Sequence, residues 1–216
     1  MVVLWNPTIR KSVGIVVPDV MITLHSDVVI GFVVCPNAGD PKLVKIRQNK
    51  IQGGDTLYCV SWEEVEVFTL SSGDWRSIST IDMPYKTVHL SGQQVFINGV
   101  IYWHGYDRLA MAWENRHNRI ISFDLKNEEF GEVFLSDSLV RSPGFLSLFK
   151  LMDSLVVIES YREAKNPVNV VWKVLHGLYT KIYTVKLRDG VGFSEVLEFR
   201  KNGELIIYVS DDYDET

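Results

Sequence analysis

The side chains best suited to chemistry in this sequence are five histidines, two cysteines and an acidic C-terminus, and their spacing assembles none of the familiar reactive arrangements. His25, His89, His104, His117 and His176 are scattered, with no HExxH and no other short metal-ligand spacing, so they read as structural or surface residues. Cys35 and Cys59 have neither metal spacing nor the density of a secreted disulfide scaffold, and read as reduced thiols. There is no GxSxG nucleophile turn, no P-loop and no GxGxxG where a strand meets a helix. Asp211, Asp212, Asp214 and Glu215 lack the interposed glycine and later glutamate of a calcium loop, and read as a solvated terminus. The sequence therefore predicts no catalytic residue, no metal and no cofactor.

Recognition chemistry is better represented. The stretch Gly105–Arg119, GYDRLAMAWENRHNR, places Tyr106 and Trp113 among Arg108, Arg116, His117 and Arg119. Large aromatics offer apolar contact area and arginines donate to carboxylates or backbone carbonyls, which is the composition of a protein-interface hot spot. These six residues are the candidate partner-binding set. Trp113 has a second reading, in which it folds back over the edge of its own sheet.

Strong strand signals flank this loop. Val95–Ile97 leads into Asn98-Gly99 and Val100–Trp103 leads out, a hairpin on the dipeptide that best tolerates two positive φ values. Ile120–Leu125, a polar run and Phe130–Leu135 make a second hairpin. The pattern then recurs. The Asn98-Gly99 turn has counterparts at Asp153-Ser154 and Asn202-Gly203, spaced by 55 and 49 residues. Phe68, Phe123 and Trp172 in the second hairpins keep the same two intervals, as do Trp75, Phe130 and Tyr179. A period of roughly 50 residues holding four short strands is that of a propeller blade of the kelch type. The predicted fold is all-β, a kelch-like β-propeller of four-stranded antiparallel units. About three complete units are expected between Val28 and Val185, with half-units at both ends.

Met1–Pro18 reads as two strands about an Asn-Pro turn, Val28–Lys50 as two strands about a polar loop, and Ile51–Trp62 as a longer loop. Trp5, Trp75, Trp103 and Trp172 fall at repeating strand positions and are expected in the core or between blades. A composition of 46% hydrophobic and 23% charged residues is ordinary for a globular domain, and a net charge of −5 argues against a nucleic-acid partner. No basic leader precedes the short apolar run MVVLW and no apolar stretch approaches ~20 residues, so no secretory signal and no membrane span are expected. The reading is intracellular, cytoplasmic or nuclear.

The order LWNPTIRK, VIGFVV with KLVKIRQ, VEVFTLSSGDWRSI, FINGVIYWHG, IISFDLKNEEF, LMDSLVVIES and FRKNGELIIYVSDD resembles the F-box associated domain of plant F-box proteins over nearly the entire chain, residues 1–216. The resemblance implies a noncatalytic module that captures a target protein for ubiquitination by an SCF-type ligase. Docking on the Skp and cullin scaffold would go through an F-box, which this chain lacks. The family also has strand pairs before LWNP and after VSDD, so the domain is expected to be truncated at both ends, poorly soluble alone and stabilised by the missing hairpins. Two alternatives stand beside the ligase adaptor: a stand-alone binding module or competitor, and an enzyme built on a kelch-like propeller.

Overall fold

The computed structural model describes residues 1–18, 26–34, 40–53, 57–79, 83, 85–107, 117–164, 166–175, 177–188 and 191–211. Among these residues sixteen strands, all paired antiparallel, form five successive sheets. A hairpin of β1 (Val2–Asn6) and β2 (Lys11–Ile15) comes first. Three four-stranded sheets follow, each meandering in chain order. The first holds β3 (Ser26–Val34), β4 (Pro41–Gly53), β5 (Leu57–Thr69) and β6 (Asp74–Ile78). The second holds β7 (Val88–Ile97), β8 (Val100–Asp107), β9 (His117–Asp124) and β10 (Glu129–Val133). The third holds β11 (Phe145–Leu151), β12 (Ser154–Glu163), β13 (Asn166–Leu175) and β14 (Leu178–Lys186). The hairpin of β15 (Val191–Phe199) and β16 (Leu205–Asp211) is last. Three whole blades with a two-stranded sheet on either side is the architecture that the repeat predicts. Among the described residues the one helix is α1 (Asp137–Val140), a single turn.

The cores lie between sheets, because successive side chains of a strand face opposite ways. Ile15 of β2 packs against Leu43 and Phe68 of the first blade. The other face of that blade, with Val44, Ile46, Val65 and Val67, meets Ile101, Trp103, Ile121 and Phe123 of the second. Ile120 points the other way, to Leu148 and Val157 of the third blade, and Val156 and Ile158 then meet Val196 and Phe199 of β15. Neighbours such as Ile120 and Ile121, or Val156 and Val157, thus belong to different cores. A register slip of one residue would exchange them.

The short turns carry the repeat in backbone form. Asn98 and Gly99 have φ of 49° and 89° and join Ile97 to Val100. The next counterpart is Met152-Asp153, one residue earlier than the sequence spacing places it, because Leu151 pairs with Ser154 and this register sends Phe149 with Val156 to one core and Leu148 with Val157 to the other. The turn of the first hairpin and the turns between third and fourth strands of the first two blades share another form. Asn6 Oδ1 accepts from the Thr8 and Ile9 N–H groups at 3.0 and 3.4 Å, and Asp124 Oδ1 from Lys126 and Asn127 at 2.7 and 3.2 Å. Arg10, Gly73 and Glu128 close these turns at φ of 51°, 74° and 58°. Phe68 pairs with Trp75 and Phe123 with Phe130 in consequence, whereas the tighter turn after Leu175 pairs Trp172 with Lys181.

Two expectations need correction. Ile51–Trp62 is not a loop: β4 and β5 pair as far as Gly53 and Leu57, with a bulge that sets Arg47 against Glu64 and Gln48 against Trp62. The extra residue breaks the period-two pattern and brings Trp62 onto the same buried face as Val65, which is why alternation fails there. Trp5 is neither core nor inter-blade packing but 65% exposed on β1, while Trp62 is 2% exposed. Cys35, His25 and His176 lie outside the described residues.

Polar ties reinforce the blade interfaces. The Gln94 amide accepts from the Phe32 N–H at 2.7 Å and donates to the Phe32 carbonyl at 3.0 Å, and Gln48 accepts from the Leu90 N–H at 2.9 Å. Glu128 binds both Lys42, at 3.2 Å, and Arg76. Burial alone would raise its pKa, but hydrogen bonds and charges of Arg76 and Lys42 outweigh it and hold the carboxyl below its ordinary 4.5. A lowered folded pKa contributes stability that is present above the ordinary value and lost as pH falls through the lowered one. Glu128→Gln should therefore flatten the acid limb of a stability-against-pH curve. An unchanged acid limb in this variant would show that Glu128 is not linked to folding.

Candidate functional site

Successive strands connect at two opposite ends of the blade array. At one end lie the turns at Asn98-Gly99, Met152-Asp153, 70–73 and 125–128. At the other end β8 stops at Asp107 and β9 begins at His117, and the connection 134–144 joins β10 to β11. Long connections anchored in rigid sheet are where binding side chains concentrate. Of the candidate residues identified from sequence, Tyr106, His117 and Arg119 lie at this second end.

Their loop is shorter than the fifteen residues from Gly105 to Arg119. Strand β8 continues to Asp107 and β9 begins at His117, and these two residues are register partners, so only 108–116 connects them. Arg108, Trp113 and Arg116 lie outside the described residues. Tyr106, His117 and Arg119 form the base of the loop. Gly105 allows the close approach there, since a Cβ would meet Val88 Cγ1 at 2.7 Å and the His89 carbonyl at 2.8 Å.

Tyr106 packs edge-on against His89, with ring centroids 4.9 Å apart, and 6.4 Å from His104. His104 Nε2 lies 3.1 Å from Asn118 Oδ1. The His117 side chain is exposed. Arg119 Nε donates to Asp107 Oδ2 at 3.0 Å and Nη1 to Glu132 Oε1 at 2.8 Å. Burial opposes its charge, but the hydrogen bonds and charges of Glu132 and Asp107 prevail and raise its pKa further. Arg119 is thus a cross-strand tie joining β8, β9 and β10. The aromatic ring of Tyr106 and the imidazole of His117 flank a loop root that this tie holds rigid.

Sequence inspection missed the polar residues beneath this end. Asn118 is 1% exposed, and its Nδ2 donates to the Leu139 carbonyl at 3.0 Å and the Ser142 carbonyl at 3.4 Å. Ser142 Oγ donates in turn to Glu159 Oε1 at 2.5 Å, and Trp172 Nε1 to Glu159 Oε2 at 3.3 Å. The available signal was an asparagine two residues ahead of the apolar run IISF on a strand that is buried on both faces. Among the described residues, no group of three or more His, Cys, Asp or Glu converges as for a metal ion, and no helix is long and apolar enough to cross a membrane.

A family model described as F-box associated beta propeller domain matches residues 1–204. No curated protein matches the chain. Among solved structures, an oligogalacturonate lyase from Vibrio parahaemolyticus is similar at 9% identity and a TM-score of 0.31, over 89% of this chain and 85% of that one. That likeness is too distant to bear on activity.

Proposed function

The chain belongs to the F-box associated beta propeller domain family, and from that membership we propose that it is the substrate-recognition module of an SCF-type ubiquitin ligase, noncatalytic itself and capturing a target protein for ubiquitination. The family match carries this reading. The fold supports it, because the connection between β8 and β9 starts and ends on the paired residues Asp107 and His117 of two central strands. Recognition at this end uses Tyr106 and His117 at the loop root and Arg108, Trp113 and Arg116 within the loop. Arg119 contributes by holding the root. Engagement of the Skp and cullin scaffold would pass through an F-box, and the site of action is the cytoplasm or nucleus.

The experiment is capture of target protein by the immobilised chain, followed by the same capture with Trp113→Ala. Loss of an aromatic anchor should cost on the order of 2 kcal/mol in binding with little change in melting temperature. Joined to an F-box and reconstituted with the remaining ligase components, the chain should direct ubiquitin to the protein it captures. A captured protein that is never ubiquitinated in that assembly defeats the ligase reading. Unfolding by Trp113→Ala without loss of binding per folded molecule would return Trp113 to sheet packing.

A further inference from the structure

The first and last hairpins are halves of a blade, and they are different halves. In the turn of β1–β2, Asn6 Oδ1 accepts from the N–H groups two and three residues on, and Arg10 has a φ of 51°; Asp124 and Glu128, at 58°, do the same between β9 and β10. β1 and β2 are therefore third and fourth strands, with Trp5 in the place of Phe123 and Val3 in that of Ile121. In the last hairpin Asn202-Gly203 takes the place of Asn98-Gly99, with φ of 88° at Gly203 and 89° at Gly99. β15 and β16 are therefore first and second strands, with Leu205 in the place of Ile101 and Ile207 in that of Trp103. The faces agree with this alignment. Leu205 and Ile207 pack on the preceding sheet, as Ile101 and Trp103 do.

Among the described residues β1 pairs only with β2, and β16 only with β15. Side chains that complete blades bury stand in solvent on these strands. Trp5 and Val3 are 65% and 55% exposed, whereas Phe123 and Ile121 in the same places are 0% exposed. On the far face of the last hairpin, Leu197 and Tyr208 are exposed as well. Free strand edges are ordinarily guarded by a charge or a proline. Val2–Trp5 and Leu205–Val209 contain neither.

We propose that the two halves complete one another between two copies of this chain, with β16 of one copy pairing antiparallel with β1 of the other to make the blade β15-β16-β1-β2. The register follows from β8 and β9, where Ile101 pairs with Phe123, Tyr102 with Ser122 and Trp103 with Ile121. Transferred, it sets Leu205 opposite Trp5, Ile206 opposite Leu4 and Ile207 opposite Val3, an apolar pair at every position. Opposed residues must share a face, and this register meets that condition on both sides. Trp5 and Val3 join Leu205 and Ile207 against the third blade of one copy, while Ile206 and Tyr208 join Leu4 and Val2 against the first blade of the other. Within one chain the halves stay on their own neighbours, in two sheets that do not pair, so the second edge comes from another molecule. Each copy offers one edge of each kind. Two copies related by a twofold axis therefore satisfy every edge, giving six complete and two composite blades, a number within the propeller range.

Sedimentation of the full chain over a concentration series should show monomer passing to dimer and no larger species. Trp5→Asp should weaken dimerisation about tenfold or more, a loss of about 1.4 kcal/mol or more. Phe134→Asp, at an equally exposed apolar residue on the connection after β10, should leave it unchanged. Diluted to monomer, the Trp5→Asp chain should unfold like the unaltered one, because Trp5 is covered only in the pair. The register is tested by mixing a Val3→Cys chain with an Ile207→Cys chain and oxidising, with the unaltered chain as the blank for Cys35 and Cys59. A link is expected between these two and not between Leu4→Cys and Ile207→Cys, which the register places on opposite faces. A chain carrying both Val3→Cys and Ile207→Cys should link between copies. A link formed inside the monomer would mean that the chain closes on itself, and overturns the proposal. A chain that stays monomeric at its solubility limit also overturns it, as do a dimer indifferent to Trp5→Asp, equal linking in both registers, or open assemblies of more than two copies.

Discussion

Trp103→Ala is expected to lower the free energy of unfolding by about 3–5 kcal/mol, the range for deletion of a large core aromatic that its surroundings cannot refill. The indole is 0% exposed between the first and second blades. Gly31 of β3 faces it so closely that a Cβ there would meet Trp103 Cζ2 at 2.6 Å and Ile101 Cδ1 at 3.1 Å. A glycine opposite a tryptophan leaves nothing to relax into the space the ring vacates. Blades in series depend on nearest-neighbour interfaces, so the loss falls on the contact joining two of the three complete sheets. Denaturant unfolding would show a lower midpoint at unchanged slope. Trp5→Ala, at a residue 65% exposed, should stay within about 0.5 kcal/mol of the unaltered chain and is the matched control. Equal losses in the two variants would refute the packing account.

The contrast between these tryptophans also marks how far the sequence could be read. Strand number, pairing order and the division into blades were legible, because Asn98-Gly99 and the recurring aromatics set a period that the register keeps. Depth was less legible. Trp5, like Trp75, falls on a strand, but a side chain on a strand is buried only if a sheet covers that face, and the covering element is distant in sequence. Trp62 went unread for another reason: the bulge at Arg47 and Gln48 shifts the alternation by one residue within the strand pair. At the candidate site the aromatic and cationic composition of the loop was visible, but not the commitment of Arg119 to Asp107 and Glu132, which lie on two other strands.

Lys45→Ala should be nearly as damaging as the tryptophan deletion, at about 3–5 kcal/mol, since removing one member of a buried ion pair leaves the other charge uncompensated. In the sequence KLVKIRQ, Lys45 alternates with Val44 and Ile46 and so reads as a solvent-facing residue. The hairpin β1–β2 covers that face, and Lys45 is 0% exposed. Its ammonium pairs with Glu66, directly opposite on β5, and with Glu64 at 3.3 Å, donates to the Pro18 carbonyl at 3.1 Å and lies 5.9 Å from the Trp75 ring centroid. Lys45 thus binds two carboxylates, of which Glu64 is shared with Arg47 at 3.4 Å, and ties the segment after β2 to the first blade. If charge balance is the main effect, replacing Lys45 and Glu66 together by methionine and leucine should cost less than Lys45→Ala alone, because no charge is left stranded opposite position 45 and an apolar cross-strand pair takes its place. Chemical denaturation of the two variants decides between the accounts. Equal or greater loss in the double variant would mean that the lysine acts chiefly through Pro18, as a hydrogen-bonded latch on the segment after β2.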